Sequence, residues 1–207
     1  IHLSTNCFLF MKHNTYFWQH KLECQTIKIK NMNIKELLDQ FTLFDSAKGQ
    51  RAELPAVEGN YIVVLKAGCN IPDVLGNFKY TEISLHGVDY RVLYTGIASD
   101  LKRRIWTNHL HGNGGNSTFR KTLGSLFGYQ KIPRDKNYQI NKKTKFGAED
   151  EKNLTAWMER NLLFAYLAND KNDELESFLI DSLLPPLNVK GSKAATLQRV
   201  HELRCDK

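Results

Sequence analysis

Glu176 is a carboxylate standing where a helix ought to carry an apolar residue. The run Asp173-Glu174-Leu175-Glu176-Ser177-Phe178-Leu179-Ile180-Asp181-Ser182-Leu183-Leu184 reads as a helix stopped by Pro185-Pro186. At about 100° per residue, Leu175, Leu179, Ile180, Leu183 and Leu184 share one arc, and Glu176 falls near its middle. Glu174 and Asp181 take the opposite, solvated face. An ionised carboxylate in such a seam costs several kcal/mol unless a cation, a metal ion or strong donors meet it. The position therefore asks for a partner. The plain alternative is a Glu at the seam's edge that reaches water.

A second chemical signal is charge. The chain of 207 residues carries a net +7, and it is not spread evenly. Between Arg120 and Lys145 stand Arg120, Lys121, Lys131, Arg134, Lys136, Lys142, Lys143 and Lys145 against the single acid Asp135, which leaves the rest of the chain near neutral. A local basic excess of this kind points to a polyanion, most often nucleic acid. A solvated lysine-rich loop is the alternative reading.

Other classes find little support. Cys7, Cys24, Cys69 and Cys205 are scattered without a C-x-x-C pair or a zinc-type spacing, and read as reduced thiols in a cytoplasmic protein. There is no H-E-x-x-H, no D-x-D pair and no G-x-x-x-x-G-K loop. No apolar run approaches the ~18 residues of a membrane span. Residues 1–11 lack the basic leader and cleavage site of a secretory signal. Ile1 is an unusual first residue, so the native start is expected at Met11 or Met32.

The elements that must position these groups are legible in outline. Residues 1–50 read as an N-terminal extension whose one clear element is a short amphipathic helix, Asn33 to Phe41, capped by Asn33. Residues 51–207 form one domain. Asn60-Tyr61-Ile62-Val63-Val64-Leu65-Lys66 is apolar on both faces and reads as a central strand. A hairpin follows, Tyr80 to Leu85 and Tyr90 to Tyr94, turned at His86-Gly87-Val88-Asp89. Ser99 or Asp100 caps a helix to about Leu110, and Ser117 or Thr118 caps another to about Phe127. Tyr129 to Lys145 shows no period and reads as a loop, part of a basic insertion over about 129–148. Glu149 to Met158 reads as helix, Asn161 to Ala168 as a buried strand, and Lys193 to Leu203 as a closing helix. The fold class expected is α+β: a small antiparallel sheet flanked by helices.

Four elements in order carry a resemblance. Gly59-Asn60-Tyr61 opens the first strand and Tyr94-Thr95-Gly96 closes the hairpin. Asp100-Leu101-x-x-Arg104 follows, and Leu175-Glu176-x-x-Leu179-Ile180 precedes Asn188, twelve residues after Glu176. Together they resemble the GIY-YIG nuclease superfamily over roughly Gly59 to Asn188. The resemblance implies that Tyr61 activates or positions the attacking water, with Tyr94 assisting, and that Arg104 holds the scissile phosphate. It further implies that Glu176 is the single carboxylate ligand of Mg²⁺ (or Mn²⁺), and that Asn188 braces a loop or contacts phosphate. A phenol has an ordinary pKa near 10, so a basic Tyr61 calls for a cation beside it. Helix geometry independently separates the two arginines: Arg104 lies about 60° from Leu101 and Arg103 roughly 160° away.

The chain departs from the pattern in several places. Asn60 and Thr95 stand where isoleucine is usual. Many relatives carry a histidine four residues after the arginine; here Asn108 holds that place, with His109 and His111 beyond it, and His109 is the candidate substitute. Gly96, His109, Asn188, Arg120, Lys121, Lys142, Lys143 and Lys145 are the expected substrate-binding residues. The reading expected is a metal-dependent endonuclease acting on double-stranded DNA, of compact restriction type. A non-catalytic nucleic-acid-binding module on the same fold is the alternative.

Overall fold

The computed structural model describes residues 33–74, 76, 79–170 and 172–205. Its centre is strand β2 (Gly59–Leu65), all seven residues of which are buried, as their two-sided apolarity requires. Strands β1 (Thr42–Phe44), β3 (Glu82–Leu85), β4 (Val88–Ala98) and β7 (Leu162–Ala168) complete a five-stranded antiparallel sheet in the order β1-β7-β2-β4-β3. The β3–β4 hairpin turns on His86 and Gly87, whose φ angles of 51° and 81° fit the right-handed twist of the pair. Val88 and Asp89, expected in the turn, already pair with Leu85 and Ser84.

Successive residues of β2 feed opposite faces. Tyr61, Val63 and Leu65 join a core with helices α2 (Arg103–Leu110), α3 (Thr118–Leu126) and α5 (Ala148–Asn161). Ile62 and Val64 face a second core with α1 (Ile34–Leu38) and α6 (Asn172–Leu183). The result is the expected α+β class, a sheet covered by helices on both faces. Helix α7 (Leu197–Cys205) closes the chain against α3.

Three expectations need correction. The N-terminal boundary at residue 50 does not hold over residues 33–50. There β1 pairs with β7 through Thr42↔Tyr166 and Phe44↔Phe164, and Leu37, Leu38 and Phe41 are buried in the second core. Residues 1–32, with Met11 and Met32, lie outside the described residues. The basic insertion is not a loop. It is a hairpin of β5 (Lys131–Pro133) with β6 (Thr144–Phe146), tipped by the one-turn helix α4 (Tyr138–Asn141) and anchored by buried Phe146. Strands of three residues are too short to display a period of two, which hid them. Finally, α6 ends at Leu183. Leu184 leaves it at φ 44° and is exposed, so it is not part of the apolar arc.

Candidate active site

The site is built on the part of β4 that outruns its neighbour. β3 pairs only with Val88–Arg91, so the outer edge of β4 beyond that point would present bare backbone groups. Side chains and a loop after α6 take them up. Leu187 N–H donates to Leu93 O (3.1 Å). The Asn188 amide closes both sides of Thr95: Thr95 N–H donates to Oδ1 and Nδ2 donates to Thr95 O, each at 2.9 Å. The Ile97 backbone lies near enough to the Glu176 carboxylate to oppose the rise in its pKa that burial causes. Leu187 and Asn188 thus act as a surrogate strand, which fixes the exit loop of α6 against the edge of β4. The Asn188 side chain is thereby spent on the β4 backbone.

A bulge aims Tyr94. The β2–β4 register shifts between Val63 and Val64, so that Leu93 and Tyr94 both pack on the face of Tyr61. The two tyrosine rings lie 6.2 Å apart. Opposite Tyr61 in the ladder stands Gly96, and a Cβ there would lie 2.5 Å from the phenol oxygen. Gly96 stands among the expected substrate-binding residues. The space it leaves is filled instead by the Tyr61 ring.

His109 completes the group. Its Nε2 lies 2.7 Å from Tyr61 Oη and its Nδ1 2.6 Å from Ser117 Oγ, all three residues being buried. Ser117 is also the N-cap of α3, accepting the Arg120 N–H at 3.0 Å. His109 reaches Tyr61 because α2 is wound as a π-helix, with His111 N–H donating to Trp106 O five residues back. The wider turn makes His109, not Asn108, the residue one turn after Arg104. Asp100 caps the start of this helix through the Arg103 N–H, as expected.

Charge and burial set the protonation states. Burial pushes the Tyr61 phenol well above its ordinary range; Tyr94 and Glu176 add to the rise and Arg104 opposes it. Burial, then Arg104 and Arg120, hold the His109 imidazole well below its ordinary value. A neutral phenol therefore faces a neutral imidazole. The cation expected to depress Tyr61 is present as Arg104, but burial outweighs it. Burial also raises Glu176, with Lys190 and Arg104 pulling the other way. Half-buried Arg104 thus acts on Tyr61, Tyr94, His109 and Glu176 together, whereas Arg103 is exposed. Glu176 sits half-buried at the rim of the seam formed by Leu175, Leu179, Ile180 and Leu183.

The donor set suits one kind of metal. Among the described residues no three His, Cys, Asp or Glu side chains converge, so these residues build no protein cage. A single half-buried carboxylate fits a hard cation that keeps its waters and shares a phosphate, which is the habit of Mg²⁺.

Not every expected residue reaches the site. Arg120 is fully buried, a correction to its placement on the nucleic-acid face. Nη1 donates to His109 O (2.9 Å) and Leu110 O (2.8 Å), Nε pairs with Glu151 Oε2 (2.6 Å), and Nη2 donates to Glu151 O. The last carbonyls of a helix need donors, and one guanidinium supplies them here. Lys142 and Lys143 are exposed and Lys145 half-exposed on the β5–β6 hairpin. Three residues escaped the sequence reading. Ser117 was seen only as a cap. Buried Asn60 donates from Nδ2 to Asn172 O (2.9 Å) and accepts from Asn169 (2.8 Å), tying β2 to the start of α6. Arg204 of α7 lies close enough to act on Tyr94.

Comparison with protein families matches residues 59–206 to the model described as the GIY-YIG catalytic domain. Searches of curated proteins and of solved structures returned no match.

Proposed function

The chain belongs to the GIY-YIG family of catalytic domains, which makes it a nuclease domain acting on nucleic acid, and from that premise we propose a divalent-metal-dependent endonuclease that hydrolyses DNA phosphodiester bonds with water. The observation that carries the reading is the packing of Tyr61 against Tyr94 and its bond to His109, with Arg104 and Glu176 near enough to act on both phenols. Arg104 is suited to grip two oxygens of the scissile phosphate, since its planar fork is charged at every working pH. Glu176 would hold Mg²⁺ or Mn²⁺, and the ion when bound supplies positive charge toward the developing phosphorane. Half-buried Tyr94 faces the substrate and orients the attacking water.

The proton moves inward. In the tautomer with Nδ1–H donating to Ser117 Oγ, Nε2 accepts the Tyr61 O–H. As the water oxygen bonds to phosphorus and the P–O bond to the leaving strand breaks, the water's proton passes to Tyr61 Oη. Tyr61 passes its own proton to His109. A phenol with a raised pKa cannot be a free base at neutral pH, but it can relay when a neutral imidazole stands behind it.

The test is incubation of plasmid and of linear duplex with Mg²⁺ or Mn²⁺, and with EDTA. Cutting is expected only with metal, and discrete fragments would support the restriction-type reading. Glu176→Gln should abolish cutting and keep DNA affinity. Near-normal turnover in that variant would remove Glu176 from the metal, and a wild type that binds but never cuts would favour the non-catalytic module.

A further inference from the structure

The tip of the β5–β6 hairpin is built to hold its shape. The Arg134 N–H donates to Lys143 O (2.9 Å) and closes the turn across residues 134–143. Asp135 gathers its first half: the backbone oxygen accepts the Tyr138 N–H (3.1 Å), and Oδ1 accepts the Asn137 N–H (2.9 Å) and the Asn141 side-chain amide (3.4 Å). In the second half Asn141 Oδ1 accepts the Lys143 N–H (2.8 Å). The polar groups of the turn thus satisfy one another and set α4 at its end.

What α4 presents to water is an isoleucine. Ile140 is 86% exposed, and after it the most exposed large apolar side chain among the described residues is Val88 at 47%. A single apolar residue at the surface is ordinary; the setting of this one is not. Exposed Lys136, Lys142 and Lys143 flank it in the chain, and Lys142 Nζ lies 5.6 Å from the centre of the Tyr138 ring. Lys142 also holds φ 53° as the C-cap of α4, a left-handed position that glycine or asparagine fills more easily, so a charge stands there against backbone preference. The arm repeats the pairing of apolar with basic. Phe146 points into the core, so Lys145 and its cross-strand partner Ile132 take the outer face, and Ile132 is exposed as well. A tip that met only phosphate would carry a polar residue at its most exposed position. Cations beside a firmly held apolar side chain suit a different ligand, a stack of bases with phosphates along its edge.

We propose that the β5–β6 hairpin inserts Ile140 as a wedge between two neighbouring base pairs of the bound DNA duplex, with Lys142 and Lys143 on the phosphates beside that step. The proposal rests on the nuclease reading for the identity of the ligand. The lysines supply attraction that is blind to sequence, whereas the wedge favours steps that unstack easily, such as TA and CA/TG. The hairpin thereby contributes a preference for where the duplex is held, beyond a general grip.

The test reads binding in EDTA, so that no cutting is needed. The probe is a short duplex in which alternate adenines are replaced by a fluorescent analogue that brightens when it is unstacked. Saturating wild type should brighten it. Ile140→Ala should lose most of that rise while keeping the melting temperature and the slope of log affinity against log salt, since it removes neither core nor charge. Ile140→Leu should retain the rise. Val88→Ala, on the β3–β4 hairpin, serves as the exposed apolar control and should change neither. Lys142→Gln/Lys143→Gln should do the reverse of Ile140→Ala, lowering the slope by about 0.9 for each phosphate released and keeping the rise at saturation. An equal rise with Ile140→Ala, or a wild type that binds without any rise, overturns the proposal. So does a change in the sedimentation of the free protein on Ile140→Ala, which would place a second copy of the chain on this residue. A wild type that binds and unstacks the duplex yet never cuts with metal sinks the nuclease reading alone. One that cuts while Ile140→Ala keeps the full rise sinks this inference alone, and one that binds no duplex sinks both.

Discussion

His109 and Arg104 share one helix and one pocket, and each leaves a measurable trace. The folded protein holds His109 well below its ordinary value, by burial first and by two arginines after it. The unfolded chain takes up that proton near pH 6.5, so unfolding binds a proton in acid. The stability that depends on a neutral His109 is complete above about pH 6.5 and is lost as pH falls below it, at up to about 1.4 kcal/mol per pH unit. His109→Gln should flatten the melting temperature between about pH 6.5 and 5 relative to wild type. An unchanged profile would mean that the imidazole is not held neutral. Arg104 separates from Arg103 by exposure as well as by helix geometry. Arg104→Ala should lower single-turnover cleavage at saturating enzyme by roughly 10²–10³-fold, the cost of losing a transition-state donor. Lysine should rescue it poorly, because a point charge lacks the fork. Arg103→Ala should cost only binding, recoverable at lower salt. If Arg103→Ala were the crippled variant, Arg103 and not Arg104 would face the phosphate, and the winding of α2 would have to differ.

At the scale of elements, the legible parts were those whose packing imposes a period. β2 is buried on both faces and its sequence says so; the β3–β4 hairpin is written in its glycine turn, and α6 in its leucines. What stayed hidden was geometry that no period encodes. The π-winding of α2 replaces Asn108 by His109 at the site, and residue spacing counted on an ordinary helix cannot anticipate it. Ser117 reads as a cap because it is one; its second bond, to His109, joins residues eight apart through the turn between α2 and α3. Gly96 shows the same limit. Its partner across the ladder is Tyr61, a relation set by register alone. Gly96→Ala should push the phenol away from His109, since the new methyl meets a rigid ring and not the end of a flexible chain. The expected outcome is a folded protein, destabilised by about 1–3 kcal/mol through overpacking and cutting roughly 10²-fold more slowly through misplacement of Tyr61. Melting and single-turnover rates check both. A normal rate would show that the Tyr61–His109 bond does not matter to chemistry.

For the molecule as a whole the question is how this domain holds a nucleic acid. The count of positive charge between Arg120 and Lys145 was plain from the sequence, but not its division into three kinds. Arg120 is structural, pinned between the carbonyls of α2 and Glu151. Lys121 is half-buried on α3, its ammonium held below the ordinary value by burial and then by Arg204, Lys131 and Arg134. Lys142, Lys143 and Lys145 stand on a hairpin whose anchor, Phe146, packs into the main core. A hairpin held in that way projects its charge from a fixed base, which suits a grip on nucleic-acid phosphates away from the cut. Replacing Lys142, Lys143 and Lys145 by alanine should shallow the plot of log affinity against log salt by up to about 0.9 for each phosphate let go, with weakening alike for all sequences. Because none of the three lies among the groups that act on Tyr61, Tyr94, His109 or Glu176, cleavage at saturating enzyme should fall far less than affinity. Filter binding across salt, paired with single-turnover rates, separates the two. If the slope does not move, the hairpin tip is a solvated bystander, and the nucleic acid is held by other faces of the domain.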